Sequence, residues 1–372
     1  MTTEMGNIRA ARITDRQALI DLSQRAHAAG DAHRRSLGVP APTASRPGIS
    51  LSTLIPTWLP LRPPSVHLVA ESEGQLVGSC RAIEEPHRDD WVITELEAAD
   101  GPMAAEVRWA LLQRLIEEAP QRNVARFHAA CSDVPENLEL FGQLGFMAYA
   151  QEEILYLAAA TERGPRSWLR RLVAKDAAGS PDGDGSKGRR PTTKSTAHWG
   201  ETHTLDDRHV ALQPAGAPDA WHLFDLWTHA TPPAIARIEG YSAADWDSVG
   251  HEAIVPRSSL NPIMHFNEVD AWLMPHDQRA GGFAQHGACR ESPHYLRFLI
   301  RDGTDGVAFL RAVLDSIGPE AVAAGLLAPV RTYESSGMRA ATGVGFLAIG
   351  RVTLLVREVR EMVRQPAMVP AH

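Results

Sequence analysis

The stretch RDGTDGVAF, Arg301 to Phe309, sets an arginine, two glycines and a threonine ahead of an amphipathic segment. Arg301, Gly303, Thr304 and Gly306 are the residue types that hold an anion. Glycines let the backbone approach closely, the N–H groups opening a helix point at the ligand, and a guanidinium pairs with phosphate. Asp302 and Asp305 oppose an anion there, and the same letters also read as an ordinary turn with Asp302 or Thr304 capping the helix. Other chemistry has less support. The sixteen histidines are scattered, with no His-Glu-x-x-His, and Cys80, Cys131 and Cys289 form no Cys-x-x-Cys, so no metal is expected. DGDGSKG (Asp182 to Gly188) begins like a calcium loop, but Lys187 stands where the loop needs glycine and Thr193 where it needs glutamate. YESSGM carries serines but no Gly-x-Ser-x-Gly.

The elements that would position such a site repeat along the chain. With 372 residues, 44% hydrophobic and 22% charged, the sequence has room for two globular domains. A net charge of −8 gives no reason to expect nucleic-acid binding. No run approaches a membrane span, no signal-like core opens the sequence, and the odd, dispersed cysteines suit a reducing compartment, so a cytoplasmic protein with no stable membrane association is expected. The first half reads as a short strand NIRAA, a helix after Asp15, a hairpin (VHLVAE, QLVGSCRAI), a strand Trp91–Ala98, a helix PMAAEVRWALLQRLIEEA, a strand Val124–Cys131, a short helix from Asn137, and a strand Ala148–Leu157. Residues 209–372 repeat that order, from HVALQPAG through LAIGRVTLLVREV. Between them, 161–208 is rich in Gly, Ser, Pro, Lys and Arg and reads as a flexible linker. It opens on SWLRRLVAK (167–175), a basic helix that either caps the first domain or touches an anionic partner. HATPPAIARIEGYSAADW (229–246) lies in a long irregular stretch and reads either as a specificity segment or as loop packing.

This order, with helices ending in LGF (Leu144–Phe146) and VGF (Val344–Phe346) before a late strand, resembles the GNAT (N-acetyltransferase) superfamily. It occurs twice, as in tandem GNAT proteins. Ile8–Ala11 with Asp15, Leu76-Val77-Gly78 after Glu73-Gly74, and Asn137 with Leu140, Phe141 and Gly145-Phe146 carry the resemblance. It implies an α/β fold of two tandem mixed-sheet domains, 1–160 and 209–372. It also implies acyl-CoA as donor and a small-molecule amine as acceptor. The family holds the coenzyme pyrophosphate in an Arg/Gln-x-x-Gly-x-Gly/Ala loop. The corresponding EAADGPMAAEVR departs from this pattern through Glu97, Asp100 and Pro102, which leaves RDGTDGVAF as the expected donor loop, with Asn137 as a further coenzyme contact. The general base belongs on the strand before the loop, where Glu95 and Glu97 share a face. The tyrosine that protonates the departing thiolate is replaced by Phe141 and Ala341, leaving Tyr333 as a substitute. Three functions stay open on this reading: N-acyl transfer to a small amine, a catalytically inactive GNAT-like protein that binds a ligand or partner, or a mixed case with the second domain active and the first a scaffold.

Overall fold

The computed structural model describes residues 7–29, 65–85, 88–99, 101–158, 210–247, 249, 254–261, 264, 266–289 and 293–359, with side chains not described at 24–29. The linker and basic helix expected at 161–208 lie outside these residues, as does the proline-rich 31–64.

Six strands come from each half: β1 (Asn7–Ala10), β2 (Ser65–Ser72), β3 (Gln75–Glu84), β4 (Asp90–Ala98), β5 (Arg126–Ser132) and β6 (Met147–Leu157), then β7 (Gln213–Pro214), β8 (Phe266–His276), β9 (Arg279–Cys289), β10 (His294–Ile300), β11 (Leu326–Arg331) and β12 (Leu347–Glu358). The helices are α1 (Arg16–Ala29), α2 (Ala104–Glu118), α3 (Pro135–Gln143), α4 (Ala220–Ala230), α5 (Pro233–Glu239), α6 (Gly306–Ile317), α7 (Pro319–Ala324) and α8 (Ser335–Gly343). The α/β class and the two-fold repetition of elements are as expected.

The strands form one sheet, ordered β1-β2-β3-β4-β5-β12-β6-β11-β10-β9-β8-β7. Each half lends its last strand to the other. β12 runs antiparallel to β5 from Val352 opposite Ser132 to Glu358 opposite Arg126. β6 runs antiparallel to β11 from Leu326 opposite Leu157 to Arg331 opposite Glu152. The two lent strands pair with each other at the centre. The ladder is therefore continuous across both halves, and β5 and β11 each have a strand from the other half along one edge.

Alternation along the strands makes two faces. On one, Leu68, Trp91, Phe127 and Leu355 pack under α2 and α3 with Leu111, Leu115 and Phe141, and Phe298, Leu326 and Val330 pack under α6 and α8 with Phe309, Val313 and Ala341. On the other, α1 sets Leu19 and Leu22 on Val69 and Leu76, and α4 sets Leu223, Leu226 and Trp227 on Leu273, Phe283 and Leu299.

The short helices end as their sequences require. Gly145 and Gly345 take φ +78° and +98°, a left-handed conformation that costs glycine little. Phe146 then enters the core edge-on to Phe141, ring centroids 5.1 Å apart. Two expectations shift. The strand HVALQPAG shrinks to Gln213–Pro214 at the sheet edge, where Pro214 has no N–H to extend a ladder. The stretch 231–268 contains α5, with prolines at its start and Gly240 at φ +61° after its end, and a 3-10 turn at Ala243–Trp246.

Candidate functional site

β4 and β5 are parallel and pair only over Asp90–Val92 with Arg126–His128. Beyond Val92 and His128 their pairing ends, leaving a crevice at their carboxyl ends with α2 packed on β2, β3 and β4 beside it. Such crevices are the usual ligand sites of open α/β sheets. At the point of divergence β4 carries a bulge. Ile93 lies opposite Ala82 and Glu95 opposite Arg81, so Thr94 has no register partner on β3, and its hydroxyl donates to Arg81 O at 3.4 Å. A bulge turns the strand and re-aims its groups.

The next residue, Glu95, meets a serine from the adjoining β3 and a histidine from β2 beyond it. The Ser79 hydroxyl donates a short hydrogen bond to Glu95 Oε1. His67 Nε2 lies 3.2 Å from Ser79 Oγ and 3.6 Å from Glu95 Oε1. Burial acts to raise the carboxyl of Glu95, but the hydrogen bonds and charge of His67, with Ser79 and Arg81, outweigh it and hold the group below the usual range. On the β5 side, Asn137 opens α3 and donates Nδ2 to Ser132 Oγ at 2.7 Å. α2 begins at Met103-Ala104 with no side chain capping it.

The counterpart in the second half has the same topology and different contents. β10 and β11 pair only through His294–Tyr295 with Leu326–Leu327. β10 runs against β9 without a bulge from Tyr295 opposite Gly287 to Ile300 opposite Gly282. Arg297 bridges the divergence. Its Nη1 donates to Phe298 O (2.8 Å) and Glu334 Oε2 (2.9 Å), and its Nη2 to Glu334 Oε1 (2.5 Å). The pair is buried, and Glu334 also accepts the Arg331 N–H at 3.1 Å.

The residues expected to hold an anion in this half are largely engaged elsewhere. Arg301 donates Nε to Ala280 O (2.9 Å) and Nη2 to Asp225 Oδ2 (2.6 Å), toward α4. Thr304 Oγ1 lies 2.7 Å from Arg301 O and 3.2 Å from Gly281 O. Gly303 has φ +86°. A Cβ at Gly306 would come 2.9 Å from Ala340 Cβ, so this glycine serves the packing of α6 on α8. The cap of α6 is Asp305, which accepts the Ala308 N–H at 3.0 Å, rather than Asp302 or Thr304.

Tyr333 lies at the end of β11, near Arg331, Glu239 and Glu334. Burial pushes its phenol up. It shares no partner with Glu95.

A third group of residues, invisible as a motif, gathers on the α1/α4 face where the halves meet. Arg331 donates Nη2 to Glu239 Oε1 (2.6 Å) and to Arg257 O (2.8 Å), with Nε 3.2 Å from Glu152 Oε1. Glu152 Oε2 accepts the Ser259 N–H at 2.7 Å. Arg257 Nη1 lies 3.2 Å from Glu85 Oε2, and Arg88 stacks 4.8 Å over the Tyr241 ring. Asp90 takes Arg88 at 2.9 Å and Arg126 at 3.0 Å, and stands 3.6 Å from His128. Burial, with the nearby charge of Arg257, pushes His128 down to about 3, so it is neutral. Burial pushes the Glu85 carboxyl up and Tyr241 up to about 12. The stretch 229–246 supplies Glu239 and Tyr241. In the sequence that stretch reads as a specificity segment or as loop packing, not as a partner for Arg331.

Among the described residues, no three His, Cys, Asp or Glu side chains gather as a metal site, and no helix is long and apolar enough to cross a membrane.

No protein-family model matches this sequence, and no curated protein matches it. Solved structures do. A tandem GNAT protein from the clavulanic acid biosynthesis pathway is 12% identical, with 95% of this chain and 99% of that one covered and a TM-score of 0.55. A GCN5-related N-acetyltransferase from Sphaerobacter thermophilus is 12% identical, with 95% and 96% covered and a TM-score of 0.51. At such identities the likeness is one of fold, and over nearly its whole length this chain has the tandem GNAT fold.

Proposed function

We propose that the protein is an acyl-CoA-dependent N-acyltransferase acting on a small amine, with the donor held in the β4/β5 crevice. The observation that carries this reading is the bulge at Thr94 where β4 leaves β5, directly before Glu95 and its His67 and Ser79 partners. Diverging strands leave N–H groups without ladder partners, and such donors suit the carbonyl oxygen of a thioester. The N-terminus of α2, which no side chain caps, suits the pyrophosphate. Asn137 at the start of α3 is the further coenzyme contact. The donor's thioester supplies an activated acyl group.

In the proposed reaction the amine nitrogen attacks the thioester carbonyl. A C–N bond forms, the C–S bond breaks, and the sulfur leaves with the electron pair. Glu95, kept ionised by His67 and Ser79, takes the proton lost by the amine.

One observation favours a protein that only binds a ligand. Phe141, packed on Phe146, stands where the GNAT resemblance implies a proton donor for the thiolate. Acetyl-CoA titrated into the full chain by calorimetry, followed by thiol release with a set of small amines, separates the two. Saturable binding with amine-dependent thiol release is expected. Binding without release would leave the ligand-binding reading, and no binding would remove the donor site.

A further inference from the structure

The polar cluster where the halves meet contains four cations, Arg88, Arg126, Arg257 and Arg331, and four carboxylates, Glu85, Asp90, Glu152 and Glu239. A network that only fastened the halves together would match donors to acceptors. This one does not. Arg257 Nε and Nη2, His128 Nδ1, Arg331 Nη1, Glu239 Oε2 and Ser259 Oγ are buried without a hydrogen-bond partner, whereas Arg257 Nη1 faces Glu85 Oε2 at 3.2 Å and His128 Nε2 faces Asp90 Oδ2 at 3.6 Å. Arg257, His128, Arg331, Glu239 and Ser259 are each more than nine-tenths buried. Buried polar atoms left this way are costly, and where they cluster in a native protein they call for an occupant.

The chemistry of the orphaned atoms describes that occupant. Nε and Nη2, side by side on one edge of the Arg257 guanidinium, suit a carboxylate, which accepts paired N–H groups in one plane. Glu239 Oε2, with the neutral imidazole of His128 beside Tyr149, suits an amine. The cluster's own charges balance, so a ligand of net charge zero adds no uncompensated charge to a buried site, whereas a singly charged amine or carboxylate would. A zwitterion meets all three conditions.

The place also fits. His128 is the last β5 residue paired with β4, at the apex of the crevice, and Glu95 follows on β4 just past the bulge. We propose that this cluster is the acceptor site and that it takes an amino-carboxylate, its carboxylate on Arg257 and its amino nitrogen between Glu239 and His128. The proposal rests on the N-acyltransferase reading and narrows its small amine to the class of amino acids.

The test uses the full chain and does not depend on turnover. Thermal unfolding is recorded with each of the twenty standard L-amino acids and β-alanine. Four pairs provide the contrast: glycine and methylamine, L-alanine and ethylamine, L-lysine and 1,5-diaminopentane, L-phenylalanine and phenethylamine. At least one amino acid is expected to raise Tm at millimolar concentration, with no shift from its decarboxylated partner, and calorimetry should give saturable binding. Arg257→Gln should remove that shift, and Arg257→Lys should restore it in part.

If no amino acid binds the wild type, or the decarboxylated amines bind equally well, the proposal is wrong whatever the variants do. An unchanged shift in Arg257→Gln would also overturn it. Acetyl-CoA binding is measured alongside. Amino acids that bind without acetyl-CoA binding leave this site standing and sink the transferase reading. The reverse result sinks this site alone.

Discussion

The crevice between β4 and β5 and its counterpart between β10 and β11 arise from the same order of elements, yet they differ in what stands between the strands. The first has a bulge at Thr94, a carboxylate held by His67 and Ser79, and a following helix that no side chain caps. The second has an unbroken strand, a buried Arg297–Glu334 pair across the divergence, and a helix capped by its own Asp305. Duplicated topology sets where a ligand site can be, but side chains settle whether it is filled from within. The richer glycine loop therefore lies beside the crevice that the protein fills itself.

Four substitutions press on this contrast. The largest effect belongs to Glu95→Gln, which removes the proposed base and should lower turnover by about 10²–10⁴-fold while leaving acetyl-CoA affinity nearly unchanged. Steady-state rates and calorimetry together check it, and full activity in this variant would move the chemistry away from the first crevice.

Glu334→Leu comes next. Removing one partner of a buried ion pair strands the other, so the variant should lose about 3–5 kcal/mol of stability in denaturant titration. The double change Arg297→Leu with Glu334→Leu should recover much of it. If Glu334→Leu instead raised acetyl-CoA affinity, the second crevice would be a donor site held shut.

A smaller effect follows from His128. Unfolded, it takes up a proton below about pH 6.5, whereas in the fold it stays neutral down to about 3. Between those values the unfolded chain holds more protons, so stability falls as pH falls, by at most about 1.4 kcal/mol per unit from this group. His128→Asn should flatten that part of the pH–stability curve. An unchanged slope would mean that the imidazole is not excluded from solvent.

The smallest effect is expected at the loop that drew attention in the sequence. With Nε on Ala280 O and Nη2 on Asp225, Arg301→Ala should change acetyl-CoA affinity less than about twofold. A tenfold loss, about 1.4 kcal/mol, would return the donor to the second half.

Local chemistry carried much of the fold. The helices were legible because their apolar spacing is a short-range pattern, and Gly145 and Gly345 because a positive φ selects glycine at a single residue. Even α5 had its signals, prolines at the start and Gly240 after the end, but seven residues between aromatics passed for loop. Glu95 was legible as a strand carboxylate, though its His67 and Ser79 partners came from other strands. The anion loop was legible as residue types, but the orientation of Arg301 was not, because it is set by Asp225, 76 residues away. The exchange of β6 and β12 leaves no local mark, since either strand could pair in its own half with the same alternation. The same holds for the central cluster. Arg331 meets Glu239 across 92 residues and Ser259 meets Glu152 across 107, and nothing in an isolated arginine or glutamate says which distant charge it will face. The sequence fixes propensity, periodicity and turn chemistry because these act between neighbours in the chain. The pairing of strands and charges is settled in the folded molecule, where burial makes an unmatched polar group costly and leaves few arrangements that satisfy them.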